Sequence, residues 1–290
     1  MIPRANITAW RGQAPWVTDA QVEQDLVISR AIIEIFSDAT LAGALAFRGG
    51  TALHKLFFKP ARRYSEDIDL VQVRAEPMGP VMTVLRERLD PWLGRPTWKQ
   101  SEGRVSLTYR FESEGLPATR MRLKVEINTR EHFAVHGHIR HRAVVENPWF
   151  TGEADVVTFE LAELLATKLR ALYQRKKGRD LFDLAVALET HAQLDCASIV
   201  ECFEAYMKHS GAVVSRAEFE ANLAGKEADT GFMSDMRTLL AVALPPASDS
   251  DIASNTEGVS TYDAREALRL VRRGLIARLP GEPWRGRAPA

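Results

Sequence analysis

FRGGTALHKLFFKPARRYSEDIDLV, residues 47–71, joins a Gly-Gly turn, a basic segment and three acidic residues within four positions, then runs into an apolar stretch. The short apolar strand ALAF (44–47) leads into Gly49-Gly50-Thr51, and TALHKLFF (51–58) continues as a helix burying Ala52, Leu53, Leu56 and Phe57. A strand that ends in glycines and opens directly into a helix presents backbone N–H groups and a positive dipole end to an anion. The hydroxyls of Thr51 and Ser65 are placed to add hydrogen bonds. DIDLVQV (67–73) reads as the next strand. Residues two apart on a strand share a face, so Asp67 and Asp69 project together while Ile68 and Leu70 pack the other way. Two carboxylates so close repel unless a cation or a shared proton intervenes. Oxygen-only ligands suit Mg²⁺, which takes one or two carboxylates together with substrate phosphates.

A third carboxylate lies further along the chain. In LKVEIN (123–128), Val125 and Ile127 face inward and Glu126 outward. Three carboxylates on two strands form a framework for phosphoryl or nucleotidyl transfer. RVSLTYRF (104–111) and MRLKVEIN (121–128) both alternate by two, and the turn formers between them predict a hairpin. Upstream, TDAQVEQDLVISRAIIEIF (18–36) is amphipathic, with Thr18 and Gln21 spaced as a capping box. MGPVMTVLRERLDPWL (78–93) predicts a second helix, stopped near Pro91. From about residue 158 the pattern becomes helical throughout: 160–175, 179–189, 197–209, 216–224, 232–244 and 264–279, with Pro245-Pro246 and the loop SDSDIASNTEG (248–258) before the last. The expected class is α+β, a mixed-sheet domain over residues 1–157 followed by an all-helical domain over 158–290.

Bulk composition narrows the classes. The chain has 290 residues, 46% hydrophobic and 26% charged, as in an ordinary globular protein, and no apolar run reaches the length of a membrane span. MIPRANITAW carries no apolar signal core, so cytoplasmic residence without a membrane is the expectation. Cys196 and Cys202 fit neither a disulfide framework nor a zinc spacing, and read as buried thiols. Formal net charge is +0, yet basic residues collect at 59–63, 120–124, 138–142 and 168–179, which suits a polyanionic substrate held locally. His132, His136, His138 and His141 are irregularly spaced and read as polar surface rather than metal ligands.

Lys168 stands out within its helix. Leu161, Leu164, Leu165 and Leu172 define the apolar stripe of 160–175, and Lys168 falls at its centre. A lysine there must snorkel or be held by carboxylates or phosphates. Asp180 and Asp183 open the next helix, where Asp180 reads as an N-cap and Asp183 as a carboxylate on the helix dipole.

RGGTALHK followed by RRYSEDIDL, then KVEI, then LLATKLRAL with GRDLFDL, resembles the AbiEii/AbiGii family of nucleotidyltransferase toxins. These belong to the DNA polymerase β-like nucleotidyltransferase superfamily and include the MenT toxins. The motifs occur in the family's order over residues 47–188; beyond them the likeness is only that of helices. The resemblance implies a polymerase β-like N-terminal domain, a helical C-terminal domain, Mg²⁺ and a nucleoside triphosphate as co-substrate. It implies Asp67, Asp69, Glu126, Lys168 and Asp183 as catalytic residues, the first three as metal ligands. Gly49, Gly50, Thr51 and Ser65 would hold triphosphate, and Asp180 would anchor Lys168 or the incoming nucleotide through its basic neighbours. Gly50-Thr51 stands where many members have Gly-Ser, one hydroxyl for another. The implied partners are RNA, at the 3′ acceptor end of tRNA, and a cognate antitoxin; the arginines and lysines of 170–179 would face the RNA backbone. The competing readings are transfer to a hydroxyl of a small molecule or protein, as in antibiotic adenylyltransferases, and an inactive binding module.

Overall fold

The structure is a computed structural model that describes residues 2–115, 117–236, 240 and 262–286. The chain divides into two compact units between Leu164 and Leu165.

The first unit begins with α1 (Arg4–Trp10), α2 (Asp19–Phe36) and α3 (Ala39–Ala44). Strand β1 (Leu45–Arg48) turns through α4 (Gly49–Ala52) and one π-helical turn, Leu53–Phe57, toward β2 (Asp67–Gln72). Then come α5 (Met78–Leu93), β3 (Thr97–Ser101), β4 (Arg104–Glu112), β5 (Arg120–Asn128), β6 (Ile139–Asn147) and β7 (Phe150–Thr158). The strands form one seven-stranded sheet in the order β3-β4-β5-β2-β1-β7-β6. Pairs β2–β5 and β1–β7 are parallel and the others antiparallel, so the sheet is mixed and the fold α+β.

Period two explains which side of the sheet is covered. Ile68 and Leu70 on β2, Val105, Leu107 and Tyr109 on β4, and Leu123, Val125 and Ile127 on β5 are all buried. Helix α2 packs on β2, β5, β6 and β7, and α5 packs on β4. The capping box of α2 is present: Thr18 accepts from the Gln21 N–H, and the Gln21 side chain accepts from the Thr18 N–H. α2 is so enclosed that its polar residues need partners. Asp25 accepts from the indoles of Trp10 (2.8 Å) and Trp16 (3.1 Å) and from Lys55 (2.6 Å).

Several elements differ from expectation. Strand β3 and the β6–β7 hairpin were not expected, although both strands of that hairpin alternate in burial over most of their length. The basic 138–142 segment is thus largely part of a strand. Helix α5 runs past Pro91 to Leu93 and ends at Gly94, whose φ of 78° takes the chain out of the helix.

Helix α6 (Leu161–Gln174) spans the point of division, because Glu163 in its first turn is buried and accepts the N–H groups of Val135 (2.7 Å) and His136 (3.0 Å). The second unit continues with α7 (Gly178–Thr190), α8 (Cys196–His209), α9 (Arg216–Glu227), α10 (Thr230–Ser234) and α11 (Ala264–Gly274). Helix α11 packs on α7 and α9, with Leu181, Leu184, Phe219, Leu223, Leu268 and Val271 buried. The expected helix at 264–279 breaks at Leu275 into a 3₁₀ turn, Ile276–Arg278. Most of the expected helix at 232–244, Pro245-Pro246 and the 248–258 loop lie outside the described residues. Cys196 is half-buried and Cys202 buried, and they form no disulfide. No helix among the described residues is long and apolar enough to cross a membrane.

Candidate active site

The polar positions of β2 and β5 alternate with their buried apolar ones and so share the opposite face of these strands. Register sets Asp67 opposite Lys124 and Asp69 opposite Glu126, with Arg48 of β1 on the other side of Asp69. Asp67 Oδ1 is buried and has no hydrogen-bond partner. Burial first, and the Asp69 charge second, push the Asp67 carboxyl above the usual carboxylate range; Lys124 opposes them without winning.

Gly49 lies directly against this pair. Its φ is +82°, and a Cβ there would fall within contact distance of Asp69 Oδ2 and 3.1 Å from Asp69 Cβ and Cγ. Both the backbone conformation and the close approach exclude a side chain. Thr51 is buried and its hydroxyl donates to the main-chain carbonyl of Asp67 at 2.6 Å. A hydroxyl has one proton, so Ser65 is the donor in the 2.8 Å contact between Ser65 Oγ and Thr51 Oγ1. Arg63, also buried, donates to the Tyr64 carbonyl at 3.2 Å. Thr51 and Ser65 therefore fasten the Gly-Gly turn to the start of β2.

Glu126 shares the face of Asp67 and Asp69 but not their electrostatic state. Arg104 Nε lies 3.1 Å from Glu126 Oε1, and Lys124 pairs with Oε2. Among the described residues no three His, Cys, Asp or Glu side chains are gathered to hold a metal. The site as built is thus a carboxylate pair whose neighbouring cations, Lys124 and Arg122, do not offset burial and mutual repulsion, beside a third carboxylate paired with Arg104 and Lys124. The pair suits a hard divalent cation: it offers oxygen donors only, one is buried without a partner, and mutual repulsion would be relieved.

In the second unit Asp180 and Asp183 are both engaged. Lys168 is 6% exposed, and its Nζ lies 3.2 Å from Asp180 Oδ1 and 2.9 Å from Asp183 Oδ2; both aspartates are 0% exposed. Arg175 binds Asp180 through two nitrogens, Nε at 2.7 Å and Nη2 at 2.9 Å. Burial alone would raise the Asp180 carboxyl, yet Lys168 and Arg175 together hold it below the usual range. Asp180 is not the N-cap of α7. That position belongs to Lys177, and Asp180 sits inside the first turn with its carboxylate taken by cations. Of the basic run, Arg175 is spent on Asp180, Lys176 pairs with Asp229 at 3.0 Å, and Arg170 lies 4.9 Å over the Tyr206 ring.

Sequence reading passed over Lys226, a second buried lysine. Its Nζ donates to the carbonyls of Leu172 and Tyr173 (3.0 Å to the latter) and to Asn222 Oδ1, and so caps the last turn of α6. Burial lowers its pKa to about 8. The only signal was a lysine at helical spacing from Phe219 and Leu223. Three of the histidines serve separate local contacts: His132 Nδ1 meets the Gln72 carbonyl at 2.9 Å, and His138 and His141 pack edge-on against Phe159 and Phe57.

The family model "Nucleotidyl transferase AbiEii toxin, Type IV TA system" matches residues 30–254. Among solved structures, MenT4, the nucleotidyltransferase toxin Rv2826c from Mycobacterium tuberculosis H37Rv, aligns with a TM-score of 0.57 at 17% identity, over 97% of this chain and 91% of its own. A putative nucleotidyltransferase from H. pylori aligns with a TM-score of 0.47 at 16% identity, over 90% of this chain and 95% of its own. No curated protein matches. At such identity the likeness to MenT4 is one of fold, whereas the family match covers most of the chain, including the Gly-Gly turn, both aspartates of β2 and the Lys168 cluster. The chain belongs to the AbiEii nucleotidyltransferase toxin family of type IV toxin–antitoxin systems.

Proposed function

We propose that this toxin transfers a nucleoside monophosphate from a nucleoside triphosphate to an RNA hydroxyl, with the 3′ end of tRNA as acceptor. The reaction takes place in the cytoplasm, and a cognate antitoxin restrains it. The observation that carries the reading is the uncompensated Asp67–Asp69 pair seated on Gly49. Asp67 and Asp69 would hold Mg²⁺, with Glu126 as a further ligand or as the group that orients the acceptor. Bound Mg²⁺ would neutralise triphosphate charge and stabilise charge that develops at the reacting phosphate.

The chain's own groups have distinct work. The backbone at Gly49 and Gly50 receives the triphosphate, and Thr51 and Ser65 act by keeping that turn fixed to β2. Glu126 accepts the proton of the acceptor hydroxyl as its oxygen bonds to the α-phosphorus and pyrophosphate departs. Lys168, Asp180 and Asp183 are the helical domain's share of the family's residues, the two aspartates holding the lysine ammonium in one orientation.

The test is to incubate the purified protein with total RNA, Mg²⁺ and each of the four α-labelled triphosphates separately. Label should enter tRNA from a preferred triphosphate, and Asp67→Asn or Asp69→Asn should lower the rate by about two orders of magnitude or more. Label in a small molecule or in protein, or an Asp67→Asn enzyme with the wild-type rate, would overturn the reading.

A further inference from the structure

The polar face of the sheet extends well beyond the carboxylates. Register builds two rows across four strands: Lys99, Ser106, Glu126 and Asp69 in one, and Thr97, Thr108, Lys124 and Asp67 in the other. A groove of about 420 Å³ lies on this face, lined by Thr97, Lys99, Arg104, Ser106, Thr108 and Lys124 among others. Arg110 and Arg122 oppose each other one step along the same face, where Arg122 acts electrostatically on Asp67. The acidic residues sharing the face are Glu112, at the end of β4, Glu126, and the Asp67–Asp69 pair at the far end of the rows. Lys99 is exposed and makes no ion pair among the described residues. Cations and hydroxyls are the groups that bind phosphate oxygens.

The span selects the kind of phosphate compound. From β3 to β2 the rows cross three strand spacings, about 14 Å at roughly 4.8 Å each. A triphosphate held at Asp67 and Asp69 would not reach Lys99. A polynucleotide backbone would.

We propose that this groove is the acceptor's track. A single-stranded RNA segment lies across β3, β4 and β5, its phosphates held by Lys99, Arg104 and Lys124, and its 3′ end is delivered to the aspartate pair. The assignment rests on the nucleotidyl-transfer reading above and adds where the acceptor lies. It also gives a use to the ion pairs of Glu126. Arg104 and Lys124 hold that carboxylate in the structure and line the groove as well. Phosphates entering the groove compete with Glu126 for the two cations and leave its carboxylate open to the acceptor hydroxyl. RNA binding and exposure of the base are one exchange of partners.

The test uses the full chain and a short fluorescein-labelled single-stranded RNA, without metal or triphosphate, titrated by anisotropy at several salt concentrations. Lys99→Gln and Arg104→Gln should each weaken binding severalfold and lower the log–log salt slope by about one. Both should raise KM for RNA while affinity for the triphosphate stays as in wild type. Glu126→Gln, which removes the internal competitor, should bind RNA severalfold more tightly, and by more than the Glu112→Gln control. Unchanged RNA affinity in Lys99→Gln and Arg104→Gln overturns the groove, as does a Glu126→Gln protein that binds no more tightly than wild type. Poly-L-glutamate binding as tightly as RNA overturns it too, since the groove would then suit an acidic protein segment. If tRNA is labelled with unaltered KM in both cation variants, the groove fails while the function stands. If the groove binds RNA but label enters another acceptor, the function fails on its own assay.

Discussion

Asp67 and Asp69 on β2, and Asp180 and Asp183 on α7, are both pairs of aspartates on one side of a regular element, and the protein treats them in opposite ways. The helical pair is the more buried, at 0% exposure, yet the Asp180 carboxyl is held below its ordinary range by Lys168 and Arg175. The strand pair is only half-buried, yet Asp67 is pushed above that range because burial and Asp69 outweigh Lys124 and Arg122, the cations acting on it. Depth of burial alone therefore does not decide the state of a carboxylate; the partners decide whether its effect is overcome. A neutralised buried cluster is a joint that breaks if one member is removed, because the charge left behind is buried without its partner. A pair whose repulsion is not offset costs stability.

The largest expected effect falls on the joint. Lys168→Met leaves two buried carboxylates with one fewer cation and should cost about 3–5 kcal/mol in urea denaturation. Asp180 also sets a pH signature. Its folded pKa lies below the unfolded value of about 3.9, so its contribution is complete above that value and is lost as pH falls through the folded one. In Lys168→Met the loss should begin at higher pH. A variant as stable as wild type would mean that the cluster is not a joint, and the comparison would fail.

Gly49→Ala should come next, at about 1–3 kcal/mol, because a φ of +82° is strained for alanine. Its methyl group would also press on Asp69. Combining it with Asp69→Ala separates the two causes: the steric part should shrink, since only the Cβ of residue 69 is left in contact, and the backbone part remain. Full additivity in the double variant would show that Gly49 does not bear on Asp69.

A smaller effect of opposite sign belongs to Asp67→Asn. Removing one of two repelling charges should leave stability within about 0.5 kcal/mol of wild type, or above it, while transfer is lost. A clear destabilisation would place Asp67 with the helical pair as a structural carboxylate.

The smallest effect is a slope rather than a step. Lys226 is a buried lysine offered only neutral acceptors by its direct partners, and its pKa is lowered to about 8 against about 10.4 unfolded. The unfolded chain binds more protons between those values, so stability should rise with pH across that window and be flat just below it. Lys226→Met should remove the rise. A variant that keeps it would assign the slope to another group.

Features set by neighbours along the chain were legible beforehand. The capping box of α2 joins residues three apart, and the common face of Asp67 and Asp69 needs only the period of a strand. The lysine in the apolar stripe of α6 was visible, and with it the need for a partner. The β6–β7 hairpin shows an unused signal of the same kind, since its alternation was there to be read. Strand β3 offered less, because all five of its residues are exposed at a sheet edge and carry no buried pattern.

Amino-acid order by itself determined the carboxylate pair, the Gly-Gly turn before it, the mixed α and β character and the family motifs. All are written in spacings of a few residues and in glycine's freedom from a side chain. Tertiary structure alone decided which acids are neutralised. Glu126 meets Arg104 because β4 and β5 align in one register, and Asp180 meets Lys168 because the packing of α6 and α7 brings them together. It also fastens Thr51, through its hydroxyl, to the start of β2. The reason is that Coulomb energy depends on separation in space and on the surrounding dielectric, and the chain sets both only by folding.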